Sequence, residues 1–266
     1  MLIAQISDSH IAPIGQKTCG VAQMDTNLRQ CVQSINSLRP MPDLVLLSGD
    51  VTNAFSREEA EHAAEILSHL ISPLFVVPGN HDDPVILSEV FGDTICPLNK
   101  EGFADYVIEG YPLRVIALDT LNAGKAGGKV SSSQLDWLHA KLGEAASQPT
   151  LIFAHHPPQK LGVPETDEDG FFAAEALGRL IARYPNVERF LCGHVHLHTN
   201  TRWCGTVVTT APSIGMQLTL DLGDTKPSNF FLSDPAYLLH HWTLDQVLVT
   251  HHIQVSDLDG PFEFTQ

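Results

Sequence analysis

The sequence predicts an α/β fold in which helices pack outside a largely parallel β-sheet system. Three observations carry that expectation. Short apolar runs bounded by Gly, Pro, Asp or Asn alternate with segments whose apolar residues recur three and four apart. The resulting β-α-β-α order gives each helix one apolar face to bury against a sheet. The third observation is chemical: Asp, Asn and His gather just past the ends of the runs.

The elements follow in order. LIAQIS (2–7), DLVLLS (43–48), PLFVVP (73–78), LRVIAL (113–118), TLIFA (150–154) and RFLC (189–192) are rich in Val, Ile, Leu and Phe and read as buried strands. Between them, residues 24–38, 56–70, 131–145 and 171–184 show helical spacing, with Ser or Asp preceding several as cap candidates. After TVVTTAPS (206–213) the chain turns richer in Gly, Pro, Asp and Ser, so residues 213–235 are expected to form a surface insertion. Strand-like runs return at 236–242 and 247–255. No internal repeat interrupts the pattern, which places residues 1–266 in one domain.

Composition restricts function. At 266 residues with 43% hydrophobic and 17% charged residues, the chain has the balance of an ordinary globule and can bury a sizeable core. No apolar run approaches the roughly 20 residues that cross a bilayer, and the N-terminal MLIAQISDSH lacks a basic leader region, so a cytoplasmic protein without membrane partners is expected. Fifteen basic against 31 acidic residues give a formal charge of −16, which repels nucleic-acid polymers over most of the surface. Five cysteines without CxxC spacing indicate neither a disulfide framework nor a zinc ribbon.

The ends of the strands carry Asp8-Ser9-His10, Gly49-Asp50, Gly79-Asn80-His81-Asp82, His155-His156 and Gly193-His194-Val195-His196. In open α/β sheets such carboxyl ends converge on the ligand. In RFLCGHVHLH, alternation along an extended chain would turn the rings of 194, 196 and 198 to one side. His194 and His196 are expected to bind metal; His198, His240, His241, His251 and His252 carry no comparable argument and are expected to be partly exposed. Carboxylate, carboxamide and imidazole donors without thiolate suit Fe, Mn, Co or Zn. Asp8, His10, Asp50, Asn80, His155, His194 and His196 are too many ligands for one ion. A carboxylate can bridge, so Asp50 would allow two ions.

The motifs DSH (8–10), GDVTN (49–53), GNHDD (79–83), HHPP (155–158) and GHVH (193–196) resemble, in order, the signature of the calcineurin-like metallophosphoesterases. More narrowly the chain is similar to the bacterial class III cyclic nucleotide phosphodiesterase and glycerophosphodiesterase branch. The resemblance implies an αββα fold, two mixed sheets packed as a sandwich with helices outside, in place of a plain parallel sheet. It also implies that Asp8, His10 and His196 hold one metal ion and Asn80, His155 and His194 the other, with Asp50 bridging. Of the adjacent His155 and His156, the resemblance favours the first as ligand. His81 matches the histidine that contacts the scissile phosphate or leaving group, which makes His81 and Asp50 the candidate catalytic residues.

Residues 213–235 correspond to a cap or oligomer-forming region, so a homo-oligomer, dimer or higher, is implied. There this chain has Gly215-Met216-Gln217, where some glycerophosphodiester-cleaving members carry a histidine in place of the Met. The expected reaction is hydrolysis of a small phosphodiester, a cyclic nucleotide or glycerophosphodiester, by a hydroxide generated at two divalent or mixed-valence ions. A phosphomonoesterase acting on a nucleotide or phosphoprotein, and a non-catalytic metal-binding protein, are the alternatives.

Overall fold

The computed structural model describes residues 1–223, 229–256 and 262–264. The first part of the chain forms β1 (Leu2–Ile6), α1 (Met24–Ser37), β2 (Leu44–Ser48), α2 (Arg57–Leu67), β3 (Leu74–Val77) and α3 (Pro84–Phe91). The middle forms β4 (Tyr106–Ile108), β5 (Arg114–Ala117), β6 (Gly128–Lys129), α4 (Ser132–Glu144), β7 (Thr150–Phe153), α5 (Pro164–Asp169), β8 (Phe171–Phe172) and α6 (Ala174–Ile181). The last part forms β9 (Val187–Cys192), β10 (Thr199–Trp203), β11 (Thr206–Thr210), β12 (Met216–Leu218), β13 (Phe230–Leu232), β14 (Ala236–Trp242) and β15 (Leu248–Gln254).

Two mixed sheets carry the architecture. One has the order β15-β14-β1-β2-β3, with β1, β2 and β3 parallel and the last two strands of the chain returning antiparallel. The other has the order β10-β11-β9-β7-β5-β4, parallel in its centre and antiparallel at both edges. The largely parallel system read from periodicity holds for the central strands, and the antiparallel edges are what it did not include. Apolar spacing reports which face of a strand is buried and carries no information on its direction.

Alternation along the strands builds three apolar layers. Ala4, Ile6, Val45 and Leu47 face outward onto Leu28, Cys31 and Ile35 of α1 and Ala60 and Ala63 of α2. Their neighbours Ile3, Leu44 and Leu46 face inward onto Val115, Leu151, Phe153 and Leu191 of the other sheet. That sheet turns Ile116, Ile152 and Phe190 outward onto Leu138 and Leu142 of α4 and Leu177 and Ile181 of α6. Burying each such large side chain contributes about 1.5–3 kcal/mol. An αββα sandwich is the result.

Helix boundaries follow local chemistry. Ser56 with Glu59 and Ser131 with Gln134 form reciprocal capping boxes that start α2 and α4. The helix expected over 171–184 begins only at Ala174, because Phe171 and Phe172 pair with Gly128 and Lys129 and Ala173 turns at φ 66°. Within 213–235, β12 and β13 form an antiparallel hairpin; residues 224–228 of that expected insertion lie outside the described residues. No helix among the described residues is long and apolar enough to cross a membrane.

Candidate metal centre

The parallel strands β1, β2, β3, β7 and β9 deliver their C-terminal turns to one place. Hydrogen bonds tie the turns together: Asp8 N donates to Gly49 O (3.1 Å), His10 N to Asp50 O (2.9 Å) and Gly193 N to His155 O (2.9 Å). Asp8, His10, Asp50, His194 and His196 all have left-handed backbone, with φ between 40° and 72°. Such residues cost of order 1–3 kcal/mol each and persist where surrounding bonds over-determine them. Here those bonds include His194 N to both Asp8 carboxylate oxygens (2.9 and 3.1 Å) and His81 N to Asp50 Oδ1 (2.8 Å).

Gly193 permits a close approach, since a Cβ there would lie 1.9 Å from Ser7 Oγ and 2.6 Å from Asp8 Oδ2. His194 and His196 lie in a turn beyond β9, so strand alternation is not what aims their rings. The two rings join different donor groups, His196 that of Asp8 and His10 and His194 that of Asn80 and His155.

All seven residues expected as ligands come together, in two sets. In one, the ligand atoms of Asp8, His10, Asp50 and His196 lie within 4.8 Å of one another, with His10 Nε2 3.0 Å from His196 Nε2. In the other, Asn80 Oδ1 lies 3.1 Å from His155 Nε2 and 3.0 Å from His194 Nδ1. Asp50 Oδ2 sits between them, 3.4 Å from both His10 Nε2 and His155 Nε2.

Carbonyl groups choose the donor atoms. Ser48 O accepts from His155 Nδ1 (2.7 Å) and Met216 O accepts from His196 Nδ1 (2.6 Å), leaving each Nε2 lone pair turned to the centre. Burial among His196, His81 and His155 holds His10 well below the ordinary range against the pull of Asp50, so its imidazole is neutral, the form that binds metal. Burial also opposes charge on His155, yet the Asp50 carboxylate raises it to about 9, so a metal ion would bind there by displacing the Nε2 proton. Asp50 itself stays well below the usual carboxylate range, because His155 outweighs its burial. These oxygen and nitrogen donors, buried together without thiolate, fit two divalent ions sharing one carboxylate.

His81 lies beside both sets. Its Nδ1 donates to Asn53 O (2.8 Å), and its ring meets that of His10 at 4.7 Å between centroids and stacks on Phe55 at 6.1 Å. A cavity of about 430 Å³ opens here, lined by His10, Asp50, Asn80, His81, His194 and His196 from the centre and by Met216, Leu218 and Phe230 from the hairpin.

Sequence reasoning missed three neighbours. Asp82 accepts from Val51 N, Thr52 N and Gly79 N at 2.8–3.0 Å and so locks two turns; burial next to Asp50 pushes its carboxyl up to about 6. Its place directly after His81 was the available signal. Asn53 acts through a backbone carbonyl, which sequence does not reveal. Asp169 Oδ2 lies 3.6 Å from His194 Nε2, brought there by the pairing of β8 with β6. It ends the short acidic helix α5, a stretch the sequence analysis did not single out.

The remaining histidines divide. His198 is half-buried against His252, at 5.5 Å between ring centroids. His240 corrects the expectation of exposure: it is fully buried between Gln5 and Thr250, which bond its two ring nitrogens. His156 is also buried, 4.6 Å from the His155 ring.

The model of the calcineurin-like phosphoesterase family matches residues 1–198. The chain belongs to the calcineurin-like phosphoesterase family. It is 34% identical over 265 residues, 99% of this chain and 97% of the relative, to the Arcobacter nitrofigilis protein named "Probable glycerophosphodiester phosphodiesterase GpdQ". Over 220 residues, 81% of this chain and 76% of the relative, it is 30% identical to the cyclic adenosine monophosphate phosphodiesterase CpdA of Escherichia coli K12. A dimetal phosphatase from Danio rerio shares the fold of this phosphoesterase with a TM-score of 0.65 at 17% identity, covering 96% of this chain and 99% of that one.

Proposed function

We infer that this protein is a dinuclear metal-dependent phosphodiesterase that hydrolyses small phosphodiesters, glycerophosphodiesters or cyclic nucleotides. The observation that carries the reading is the position of Asp50 Oδ2, 3.4 Å from a histidine of each donor set. Both relatives described above are named for phosphodiester cleavage, which favours a diester over a monoester.

In this reading Asp8, His10 and His196 hold one ion, Asn80, His155 and His194 the other, and Asp50 holds both. Divalent ions of the iron, manganese, zinc or cobalt class would supply Lewis acidity there and lower the pKa of a water toward neutrality. The protein's own groups do the rest. Asp50, fixed through Oδ1 by His81 N, keeps the two donor sets in register. Asp169 bears on the outer nitrogen of His194 and holds that ring toward Asn80.

His81 serves the departing oxygen. Asn53 O can only accept, so Nδ1 keeps its proton and Nε2 carries the exchangeable one. As water oxygen bonds to phosphorus and the P–O bond to the leaving group breaks, His81 Nε2 would pass a proton to the leaving oxygen, which departs as an alcohol.

Exposed Leu220, Leu222, Phe231 and Leu232 on and beside the hairpin support its use as an oligomer surface as well as a cap. Five free cysteines, three of them buried, fit the reducing conditions of the cytoplasm.

The test is a substrate panel on protein reconstituted with manganese: glycerophosphoethanolamine, cyclic AMP, bis-p-nitrophenyl phosphate and the monoester p-nitrophenyl phosphate. Turnover of diesters well above that of the monoester is expected. Preference for the monoester would overturn the assignment.

A further inference from the structure

A polar chain runs through the apolar layer between the two sheets, and the reaction described above gives it no task. Gln5 continues the inward face of Ile3 on β1, and Ser48 that of Leu44 and Leu46 on β2. Gln5, Ser7, Ser48 and His240 are all fully buried. Polar side chains in such a layer are costly unless each is paired.

From Thr250 to Ser7 every side chain is paired, and the donors and acceptors fix the direction of each bond. Gln5 Nε2 lies 2.9 Å from Cys192 O, which can only accept, so the amide nitrogen donates there and to Ser48 Oγ (2.9 Å). Gln5 Oε1 is thereby turned to His240, whose Nε2 donates to it (3.0 Å). His240 Nδ1 then accepts from Thr250 Oγ1 (2.9 Å), a hydroxyl that itself accepts from Arg189 Nη1 (3.1 Å). Burial, with Arg189 adding to it, holds His240 down to about 3, so the ring is neutral, as this pattern requires. On the other side Ser48 Oγ donates to Ser7 Oγ (2.9 Å), nearer than Ile6 O (3.4 Å), and Ser7 Oγ donates to Ser48 O (3.2 Å).

Both bonds of the Gln5 nitrogen lead to one donor set. Ser48 O is the carbonyl that accepts from His155 Nδ1 (2.7 Å) and so turns Nε2 to the centre. Cys192 ends β9, two residues before His194. His155 and His194 stand in the same set, with Asn80. The other set is held by different bonds, His196 through Met216 O and the Asp8 backbone through Gly49 O.

We propose that Gln5 and His240 are positioning residues for one ion of the pair, the one that Asn80, His155 and His194 would hold. The proposal rests on the dinuclear reading and gives a buried part of the sandwich, remote from substrate, a share in building one of its two sites.

The test is calorimetric titration of metal-free protein with manganese, without substrate, beside urea unfolding of the same metal-free samples. His240→Leu removes the donor to Gln5 Oε1, whereas His240→Gln keeps one, since its carboxamide nitrogen reaches about as far as Nε2. In Gln5→Leu and in His240→Leu one ion should bind about tenfold more weakly, the low end of the effect of groups that orient metal ligands. It should be the ion that His155→Ala loses, while the affinity of the other is unchanged. His240→Gln should restore the wild-type affinity. Should Gln5→Leu fail to fold, the two His240 variants decide alone.

A lowered urea midpoint with both affinities as in the wild type, or equal weakening of both ions, would mark the chain as structural only and overturn the proposal. A wild type that binds a single ion would overturn the dinuclear reading together with it. Selective weakening of one ion in a protein that cleaves no diester would instead support the positioning role and overturn the assigned reaction.

Discussion

The departing group of an alkyl phosphodiester is an alkoxide, a strong base that leaves poorly unless protonated. In the proposed mechanism His81 takes that task; two bonds hold it, its backbone N–H to Asp50 and its Nδ1 to Asn53 O, and its ring lines the cavity. His81→Ala is therefore expected to slow cleavage of alkyl diesters by roughly 10²–10⁴ while sparing bis-p-nitrophenyl phosphate, whose phenolate leaves unaided. Rates taken at saturating metal check this, and equal losses on both substrates would remove His81 from the role. The seven residues that the structure gathers at the centre were legible in the sequence because metal chemistry restricts residue type and each sits in a short motif at the end of an apolar run. Asn53 and Asp169 were not. One acts through its backbone, and the other is placed by pairing between segments about forty residues apart, Gly128 with Phe171.

The turns that follow the strands decide whether those side chains meet. After β2, Gly49 has φ 88°, and a Cβ at that position would fall 2.4 Å from His155 Nδ1, the atom that donates to Ser48 O. Gly49→Ala should cost about 1–3 kcal/mol of stability through backbone strain alone and also lower metal content, because His155 must shift. Denaturant unfolding with elemental analysis of the same sample checks both effects, and a variant of wild-type stability with full metal content would contradict the account. The central strands were legible for the same reason that they are stable, since uninterrupted apolar runs are what a strand covered on both faces requires. Strand direction was not legible, and neither were β6 and β8, whose two-residue pairing is too short for any period. Asp83 and Pro84, a cap followed by a first-turn proline, did signal α3, but Asp83 was read only as the end of GNHDD and Pro84 was not read at all.

Across the molecule, the sheet that carries β4 and β5 is tied to α4 by buried acids. Asp105 accepts from Asp119 N (2.8 Å) and from Gln134 Nε2 (3.2 Å), and Asp119 accepts from Ala104 N and Leu121 N. Burial pushes Asp105 up to about 7 and Asp119 up to about 6, from 3.8. A carboxyl raised in the folded state favours folding while protonated. Its contribution is complete below the unfolded value and is lost as pH rises through the folded one. Each acid should thus remove up to about 1.4 kcal/mol of stability per pH unit while it titrates. Relative to wild type, Asp105→Asn should gain stability as pH rises from 5 to 7 and level off above that, within the window set by 3.8 and about 7. Urea midpoints of both proteins across this range check the sign; a pH-independent difference would contradict it.

The claim on which the rest depends is that one carboxylate joins two metal ions, and the most direct measurement is the metal content and diester turnover of Asp50→Ala beside the wild type. Asp50 Oδ2 lies 3.4 Å from both His10 Nε2 and His155 Nε2, so its removal takes a donor from both sets at once. The account predicts two ions per chain in the reconstituted wild type, with both occupancy and turnover collapsing in the variant. Two ions per chain with normal turnover in Asp50→Ala would contradict it.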